Sequence, residues 1–372
     1  MLNSRAMNGD DIDMDRLTPI EEIERQELEE FARTFDLSFR GLDVRQLREN
    51  IRRRENDENG KTPDYYKHMQ ANDNHLYDLP DNVSLFLNLR TLDLSNNRLK
   101  SLPEYLTRMP LVSFSAKNNL IEDENLPKSF APWESTMREL HLGGNHLFEF
   151  PLQILQLKNL ALLSLGSNHL TTVPRRINEL AKLSTLCLGG NKIADLPTTV
   201  GDLEDLEVLI VSDNELESLP TSIANLKKLK TLQLHKNLLK TLPTEIITLR
   251  CLNELSLRDN PLVIRFINDM THNPASLMEL AGRCIKMNNI PYDKRILPGP
   301  LLYYLHSAHQ CVNPKCKGVF FDSRIEHVKF VDFCGKYRVP LMQYLCSSKC
   351  VAENPRGALC PDENKIRRVL LG

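Results

Sequence analysis

The chain has 372 residues, of which 41% are hydrophobic and 26% charged, and its formal net charge is −2. This composition is typical of a globular protein with a sizeable core and more than one structural unit. The chain has neither the basic excess expected of a nucleic-acid-binding protein nor an apolar run of the roughly 18 residues that a membrane-spanning helix needs. Its acidic amino terminus predicts no signal peptide, so we expect a reducing compartment, either the cytoplasm or the nucleus.

Residues 1–65 are predicted to form a partly disordered N-terminal arm with capping helices. Thr18 and Pro19 mark a helix start, and a charged helix is expected from there to about Phe35. A second helical stretch over residues 43–54 ends in three consecutive arginines. We expect the arm to cover the first repeat, and the alternative for the arginines is a nuclear-import signal.

Residues 66–272 repeat the pattern LxLxxNxL about every 23 residues. One turn cannot bury its own leucines, but nine stacked turns make a continuous core. The sequence therefore predicts an α/β fold, a leucine-rich-repeat solenoid (horseshoe) with a parallel concave sheet. The asparagine occupies the tight bend after each strand and receives no chemical role. A longer step near Pro127 and Trp133 predicts an interruption of the convex side.

Residues that alternate with the buried leucines line the concave surface, where we expect a target protein to bind. A row of three glycines would let a partner approach the backbone, and three aliphatic side chains stand where polar ones would be expected; drift at a sheet surface would give the same residues. His141 and His235 lie four turns apart, and the repeats contain no nucleophile or phosphate-binding motif, so no enzyme is predicted. The predicted target-binding residues are His141, Gly143, Leu162, Gly166, Cys187, Gly189, Val208, Ile210, Gln233, His235 and Arg258.

Residues 273–305 follow the repeats, and a helix is predicted to begin at Asn273 with Pro274 at its first position. Its apolar residues fall on one face, which is typical of a helix that closes the end of a solenoid. The string SLMELAGRCI also resembles the BC-box, the helix by which substrate receptors of cullin-RING ubiquitin ligases bind elongin C. That resemblance implies contacts from Leu277 as the main anchor and from Leu280, Ala281 and Ile285.

The residues just downstream resemble a cullin box, which follows a BC-box at about this distance. Leu297-Pro298-Gly299-Pro300 is similar to the core of cullin-5-type boxes, although Gly299 replaces the usual apolar residue. Ile290-Pro291 is similar to the start of a cullin-2-type box. The pattern leaves cullin-2 and cullin-5 both open.

Residues 306–372 form a cysteine-rich segment. Two short cysteine pairs, Cys311 with Cys316 and Cys346 with Cys350, are separated by about 30 residues. Four thiolates in two hairpins are what a tetrahedral structural zinc site requires, and bound zinc contributes folding energy to a small module. Cys334 is expected to be either a substitute ligand or a buried thiol.

The strings ELAGRCIK, NNIPYD, VKFVDFCGKYRVPLMQYLCS and VLLG resemble the family of leucine-rich repeat-containing protein 58, over roughly residues 66–372. This resemblance implies a substrate-recognition adaptor of a ubiquitin ligase, with elongin B/C and cullin-2 or cullin-5 as partners and no catalysis by the chain itself. The alternative is an intracellular signalling scaffold that binds a GTPase or a phosphatase. The two differ in whether Leu277 is buried against the solenoid or exposed.

Overall fold

The computed structural model describes residues 32–55, 61–263, 275–313, 316–333, 337–352 and 368–370. Each repeat contributes one short strand to a common sheet, and these ten strands are β1 Thr34–Asp36, β2 His68–Gln70, β3 Thr91–Asp93, β4 Ser113–Ser115, β5 Glu139–His141, β6 Leu162–Ser164, β7 Thr185–Cys187, β8 Val208–Ile210, β9 Thr231–Gln233 and β11 Glu254–Ser256. Strand β10, Leu242–Pro243, lies on the convex side and is not one of the ten. The C-terminal part contains β12 His309–Gln310, β13 Val319–Phe320, β14 Ile325–Phe333, β15 Tyr337–Leu345 and β16 Arg368–Leu370. The α-helices are α1 Val44–Glu55, α2 Leu277–Met287, α3 Gly299–His306 and α4 Lys349–Ala352.

The repeat strands form one parallel sheet in chain order, which confirms the predicted solenoid. The register keeps equivalent leucines side by side, for example Leu163 beside Leu186 and Leu186 beside Leu209. Because side chains alternate along a strand, the leucines of every LxL motif point into the core, where they are fully buried. The other faces of the strands are left for the concave surface.

The repeat asparagines form a buried ladder. The Asn191 side chain accepts a hydrogen bond from the amide of Leu170 at 3.0 Å and donates to the carbonyls of Leu165 and Leu188 at 3.1 and 2.8 Å. These bonds satisfy backbone groups of the bend and of the preceding coil, which burial removes from water. The residue before the asparagine has a positive φ, as at Gly190 with 71°, so small or Asx residues are favoured there.

The convex side is built from 3-10 helices that begin after a proline that follows an aliphatic residue, such as Arg175–Glu179 after Val173-Pro174 and Thr198–Asp202 after Leu196-Pro197. The longer repeat near Pro127 and Trp133 is held in place by contacts of its side chains. Trp133 is fully buried, its indole nitrogen donates to the carbonyl of Met109 at 3.0 Å, and its ring lies 5.7 Å from that of Phe114. The extra residues therefore extend the core.

The solenoid begins earlier than the predicted boundary at residue 66. β1 pairs in parallel with β2, and Phe35 is buried in this strand, so the charged helix predicted to Phe35 does not include its last positions. The rest of that helix lies outside the described residues. Arg40 stands where the repeat asparagine is expected, and the amide of Leu42 still donates to Asn74 of the next coil at 2.8 Å, as the equivalent amide does in later repeats. Helix α1 covers the second helical stretch and buries Leu47 and Ile51.

The C-terminal part is joined to the solenoid. Strands β14 and β15 form an antiparallel hairpin, and β15 pairs in parallel with β10 on the convex side, with Leu341 beside Leu242. Val331, Val339 and Leu341 are buried in the same hydrophobic core as the repeats. Strand β16 adds to the end of the concave sheet by pairing with β11. The hairpin is therefore an extension of the solenoid core, whereas the sequence predicts a separate small module over residues 306–372.

Candidate functional site

The concave surface carries the predicted target-binding residues on β5 to β11 and the turns that follow these strands. Leu162 and Val208 flank Thr185 in the register of β6, β7 and β8, and Cys187 lies directly beside Ile210. Leu162, Cys187, Val208 and Ile210 are all half-buried on this surface. The structure thus brings the aliphatic side chains and Cys187 into one patch, which we call the concave patch.

The polar members of the predicted set lie around the concave patch. His235 follows β9 and its Nδ1 lies 3.2 Å from the hydroxyl of Ser256, while Arg258 is exposed beyond β11. Gln233 pairs with Ile210 across β8 and β9. The two histidines are not brought together, because β6, β7 and β8 separate β5 from β9.

His141 differs from the other polar residues of this surface. Burial lowers the pKa of its imidazole, and the positive charge of Lys117 adds to this effect. Its Nδ1 is shielded from water and has no hydrogen-bond partner within the part of the chain that the structure describes. Buried polar atoms are normally paired, so this nitrogen is an exception among the polar groups of the concave surface.

The glycine row has a structural cause that the sequence interpretation missed. A Cβ atom added to Gly143 would lie 2.9 Å from the carbonyl oxygen of Gly166, and one added to Gly166 would lie 2.9 Å from that of Gly189. The absent side chains therefore permit close stacking of adjacent coils. Access for a partner is a secondary consequence.

Helix α2 turns one of its two apolar faces to solvent. The hydroxyl of Ser276 caps its first turn by accepting from the amide of Glu279 at 3.1 Å, and the predicted start at Asn273-Pro274 lies outside the described residues. Leu277 is 86% exposed and Leu280 50% exposed. Leu277, Leu280, Ala281 and Cys284 together form what we call the docking face, and all four are exposed.

The opposite face of α2 packs on a C-terminal cluster that consists of Leu305, Val319 and Phe321. Gly282 is buried against the ring of Phe321, where an added Cβ would lie 3.0 Å from ring atoms. Ile285 is half-buried against the same cluster, so it is not part of the docking face with Leu277. This placement corrects the expectation that all four BC-box residues share one free surface.

An ion pair that sequence reasoning missed fixes α2 to the C-terminal part. Glu279 is 1% exposed and accepts hydrogen bonds from the amides of Phe321 and Ser323 at 3.2 and 2.7 Å. Arg283 pairs with Glu279 and donates to the carbonyls of Ser323 and, at 2.9 Å, Cys346. Burial would raise the pKa of the Glu279 carboxyl, but these hydrogen bonds outweigh it and hold the pKa below its usual value. The only sequence signal was a Glu and an Arg four residues apart on a helix.

The residues of the cullin-box-like segment are divided between solvent and the C-terminal cluster. Ile290 is 45% exposed, and Pro291, Pro298 and Pro300 are exposed. Leu297 is half-buried and packs against the C-terminal cluster. Ile290 with Pro291 and the two later prolines therefore present free surface.

The four predicted metal ligands come together. The sulfur atoms of Cys311, Cys316, Cys346 and Cys350 all lie within 4.8 Å of one another. Cys316 and Cys346 are 3.4 Å apart, and Cys346 and Cys350 are 3.7 Å apart, near the roughly 3.8 Å between sulfurs of a tetrahedral zinc site. Four cysteines in this part of the chain could thus hold a metal ion. Cys334 and Cys360 lie outside the described residues.

Two further features fit this four-cysteine cluster to a cation. A Cβ added to Gly318 would lie 2.7 Å from the Cys346 sulfur, so only glycine leaves room for the thiolates. Burial raises the pKa of the Cys346 thiol far above its usual value, and the neighbouring cysteines raise it further. A cation among the sulfurs removes this penalty because it stabilises the thiolate forms.

No helix in the described ranges combines the length and the apolar character needed to cross a membrane.

Comparison with known proteins agrees with the observed fold. A family model described as "Leucine-rich repeat region" matches residues 185–281, and one described as "Leucine Rich Repeat" matches residues 88–109. Leucine-rich repeat-containing protein 58 of Xenopus laevis is 59% identical over 311 residues, covering 80% of this chain and 88% of that protein. The Homo sapiens protein of the same name is 61% identical over 87 residues, which are 23% of this chain and 24% of its own length. A crystal structure of a TDR receptor is similar with a TM-score of 0.52 at 26% identity, covering 61% of this chain and 39% of the receptor chain.

Proposed function

The chain belongs to the leucine-rich repeat-containing protein 58 family, and on that premise we propose that it is a substrate-recognition adaptor of a cullin-RING ubiquitin ligase. In this proposal the concave surface binds a target protein, the docking face binds elongin C of the elongin B/C pair, and the segment from Ile290 to Pro300 contacts cullin-2 or cullin-5. The adaptor acts in the cytoplasm or the nucleus. Ubiquitin transfer belongs to the RING subunit, so the chain performs no catalytic step.

The exposure of Leu277 is the observation that carries this proposal. A helix that closes a solenoid buries its apolar face, but α2 packs on the C-terminal cluster through Gly282 and Ile285 and leaves Leu277 86% exposed. Contiguous exposed apolar side chains on a helix are typical of a groove-binding element. A signalling scaffold would bind its partner through the concave surface, and the exposed docking face would then have no binding role.

The concave patch supports the binding of a target protein. Leu162, Cys187, Val208 and Ile210 offer apolar area in the centre of the sheet, and His141 and Gln233 lie on the flanking strands β5 and β9. A partner that buries an aliphatic side chain there and bonds to polar residues around the patch would gain both affinity and specificity.

We propose zinc as the metal of the four-cysteine cluster. Four thiolates are the ligand set of structural zinc, and they leave no open coordination position for a substrate. Bound zinc would supply folding energy to the residues around Cys316 and Cys346. Cys350 and Cys311 complete the ligand set. The metal content of a Cys334→Ser variant tests whether Cys334 is a ligand.

The test is affinity purification of the full chain from cells, with immunoblots for elongins B and C, cullin-2 and cullin-5. Wild type is compared with a Leu277→Asp/Ala281→Asp variant, and Leu87→Asp is the control because Leu87 is 64% exposed in the solenoid. We expect wild type and control to recover elongins and one cullin, and the docking-face variant to lose both while it stays folded. Recovery of neither partner by wild type would contradict the adaptor role and favour the scaffold.

Two more variants separate the cullins. Ile290→Asp with Pro291→Ala changes the cullin-2-type start, and Pro298→Ala with Pro300→Ala changes the cullin-5-type core. All four residues are exposed, so the folded state should tolerate the changes. We expect one pair of substitutions to remove the cullin without removing the elongins.

A further inference from the structure

We propose that metal binding at the four-cysteine cluster fixes the orientation of helix α2 through Arg283 and Glu279, so that docking of α2 on its partner depends on the metal. This inference rests on the proposed function for the identity of the partner. The coupling itself rests on contacts between α2 and the residues around the cysteines.

The first contact joins α2 to a metal ligand directly. Arg283 donates from Nη1 to the main-chain carbonyl of Cys346 at 2.9 Å, and the same guanidinium donates to the carbonyl of Ser323. The Cys346 sulfur is one of the four in the cluster and lies 3.4 Å from the Cys316 sulfur and 3.7 Å from the Cys350 sulfur. A metal that holds this sulfur also holds the carbonyl to which Arg283 bonds.

The second contact joins α2 to the strand that leaves the cluster. Cys316 and Gly318 lead into β13, and the amides of Phe321 and Ser323 just beyond it donate to the buried carboxylate of Glu279. Glu279 is thus hydrogen-bonded to a segment that begins at a proposed metal ligand, Cys316, so a change in the position of that segment would move Glu279. The side chain of Arg283 is 15% exposed and that of Glu279 is 2% exposed. Water therefore cannot replace the hydrogen bonds of this ion pair unless the structure opens locally.

The same contacts set the distance between the two proposed docking elements. Phe321 belongs to the C-terminal cluster, on which Ile285 of α2 and Leu297 of the cullin-box-like segment both pack. A shift of Phe321 therefore moves α2 and this segment relative to each other. Loss of the metal would leave four clustered thiols without a shared cation and would release the chain on both sides of Gly318.

The experiment uses the full chain, prepared with one equivalent of Zn²⁺ or after removal of metal by a chelator. Binding to purified elongin B/C is measured by calorimetry, hydrogen exchange of residues 277–287 by mass spectrometry, and metal content by atomic emission. We expect metal removal to weaken elongin binding at least tenfold and to speed exchange of the α2 amides. Cys316→Ser should act like the chelator, and Cys251→Ser, which changes an exposed cysteine, should not.

Three further variants make the outcome specific. Arg283→Met should keep the metal but lose binding and protection of α2, whereas Arg90→Met, which removes an arginine–carbonyl bond in the solenoid, should change neither. Leu277→Asp should lose binding and keep both metal and protection. Equal elongin affinity and equal α2 exchange with and without metal would overturn the coupling. If zinc-loaded wild type does not bind elongin B/C, the proposed function fails, and the exchange data alone decide whether α2 depends on the metal.

Discussion

The side chain that each repeat places at its bend is set by backbone groups of two coils. The side chain of Asn168 accepts a hydrogen bond from the amide of Leu147 and donates hydrogen bonds to the carbonyls of Leu142 and Leu165. Each later asparagine makes the equivalent bonds one coil further along the solenoid. In three repeats the residue two positions before this asparagine is a glycine, and its lack of a side chain leaves room for the next coil. At Gly143, Gly166 and Gly189 the next coil approaches within contact distance of the missing Cβ.

Replacement of Gly166 by alanine should destabilise the solenoid. The added Cβ would lie 2.9 Å from the carbonyl oxygen of Gly189, a backbone atom that is held in place by a hydrogen bond from the amide of Ser167. We expect the free energy of unfolding to fall by about 2 kcal/mol, the usual cost of overpacking, as measured by urea denaturation. Gly299→Ala is the control, because no atom lies within 4 Å of its added Cβ. Equal midpoints for the two variants would show that the coils can separate freely.

Residue assignments from the sequence succeeded where a role depends on the repeat itself. The buried leucines, the asparagines and the four cysteines that meet in space all follow from spacing. Roles that depend on distances between elements did not follow. The spacing gave no sign that the Gly166 contact is structural, that His141 has an unpaired nitrogen, or that Glu279 and Arg283 bind the chain around the cysteines.

Helix α2 has two apolar faces with different surroundings. Leu277 projects into solvent, and Ile285 packs with Leu305 and Phe321. A periodic pattern identifies such a helix but does not say which face is covered, since both a solenoid and a partner protein would bury leucines. The element therefore has to be tested by substituting one residue on each face.

Leu277→Ala and Ile285→Ala should differ in their effect on stability. We expect Leu277→Ala to leave the free energy of unfolding within about 0.5 kcal/mol of wild type, because a side chain in solvent contributes little to the folded state. Ile285→Ala should lower it by about 2 kcal/mol, since the variant loses contacts with the C-terminal cluster. Thermal and urea unfolding of the zinc-loaded chain would measure both. A larger loss for Leu277→Ala would mean that the docking face is buried and would remove the main support for the adaptor.

Other elements were missed because they depart from the repeat or pair over long distances. Strand β1 has Arg40 in place of asparagine, so the consensus did not include it, although Phe35 and Leu37 occupy the leucine positions and are buried. The pairing of β15 with β10 joins residues far apart in sequence, and no local periodicity reports such a contact. The LxL pattern, by contrast, recurs often enough to define the sheet from β2 to β11.

At the scale of the whole molecule, the C-terminal hairpin and the last repeats share one core. Leu341 of β15 is fully buried beside Leu242, and Val331 and Val339 lie in the same cluster. Each coil of a solenoid contacts mainly its neighbours, so a defect is felt most in adjacent coils. The hairpin should therefore control the stability of the C-terminal repeats and leave the N-terminal repeats nearly unaffected.

A pair of core substitutions at opposite ends tests this gradient. Leu341→Ala should cost about 3 kcal/mol, the usual penalty for a cavity at a buried leucine. Hydrogen exchange should become faster in β9 to β11 and stay unchanged in β3 to β5. Leu92→Ala, at a fully buried position of β3, should give the reverse pattern. Uniformly faster exchange in both variants would instead mean that solenoid and hairpin unfold as one unit, and then a partner bound at α2 would stabilise the distant concave surface as well.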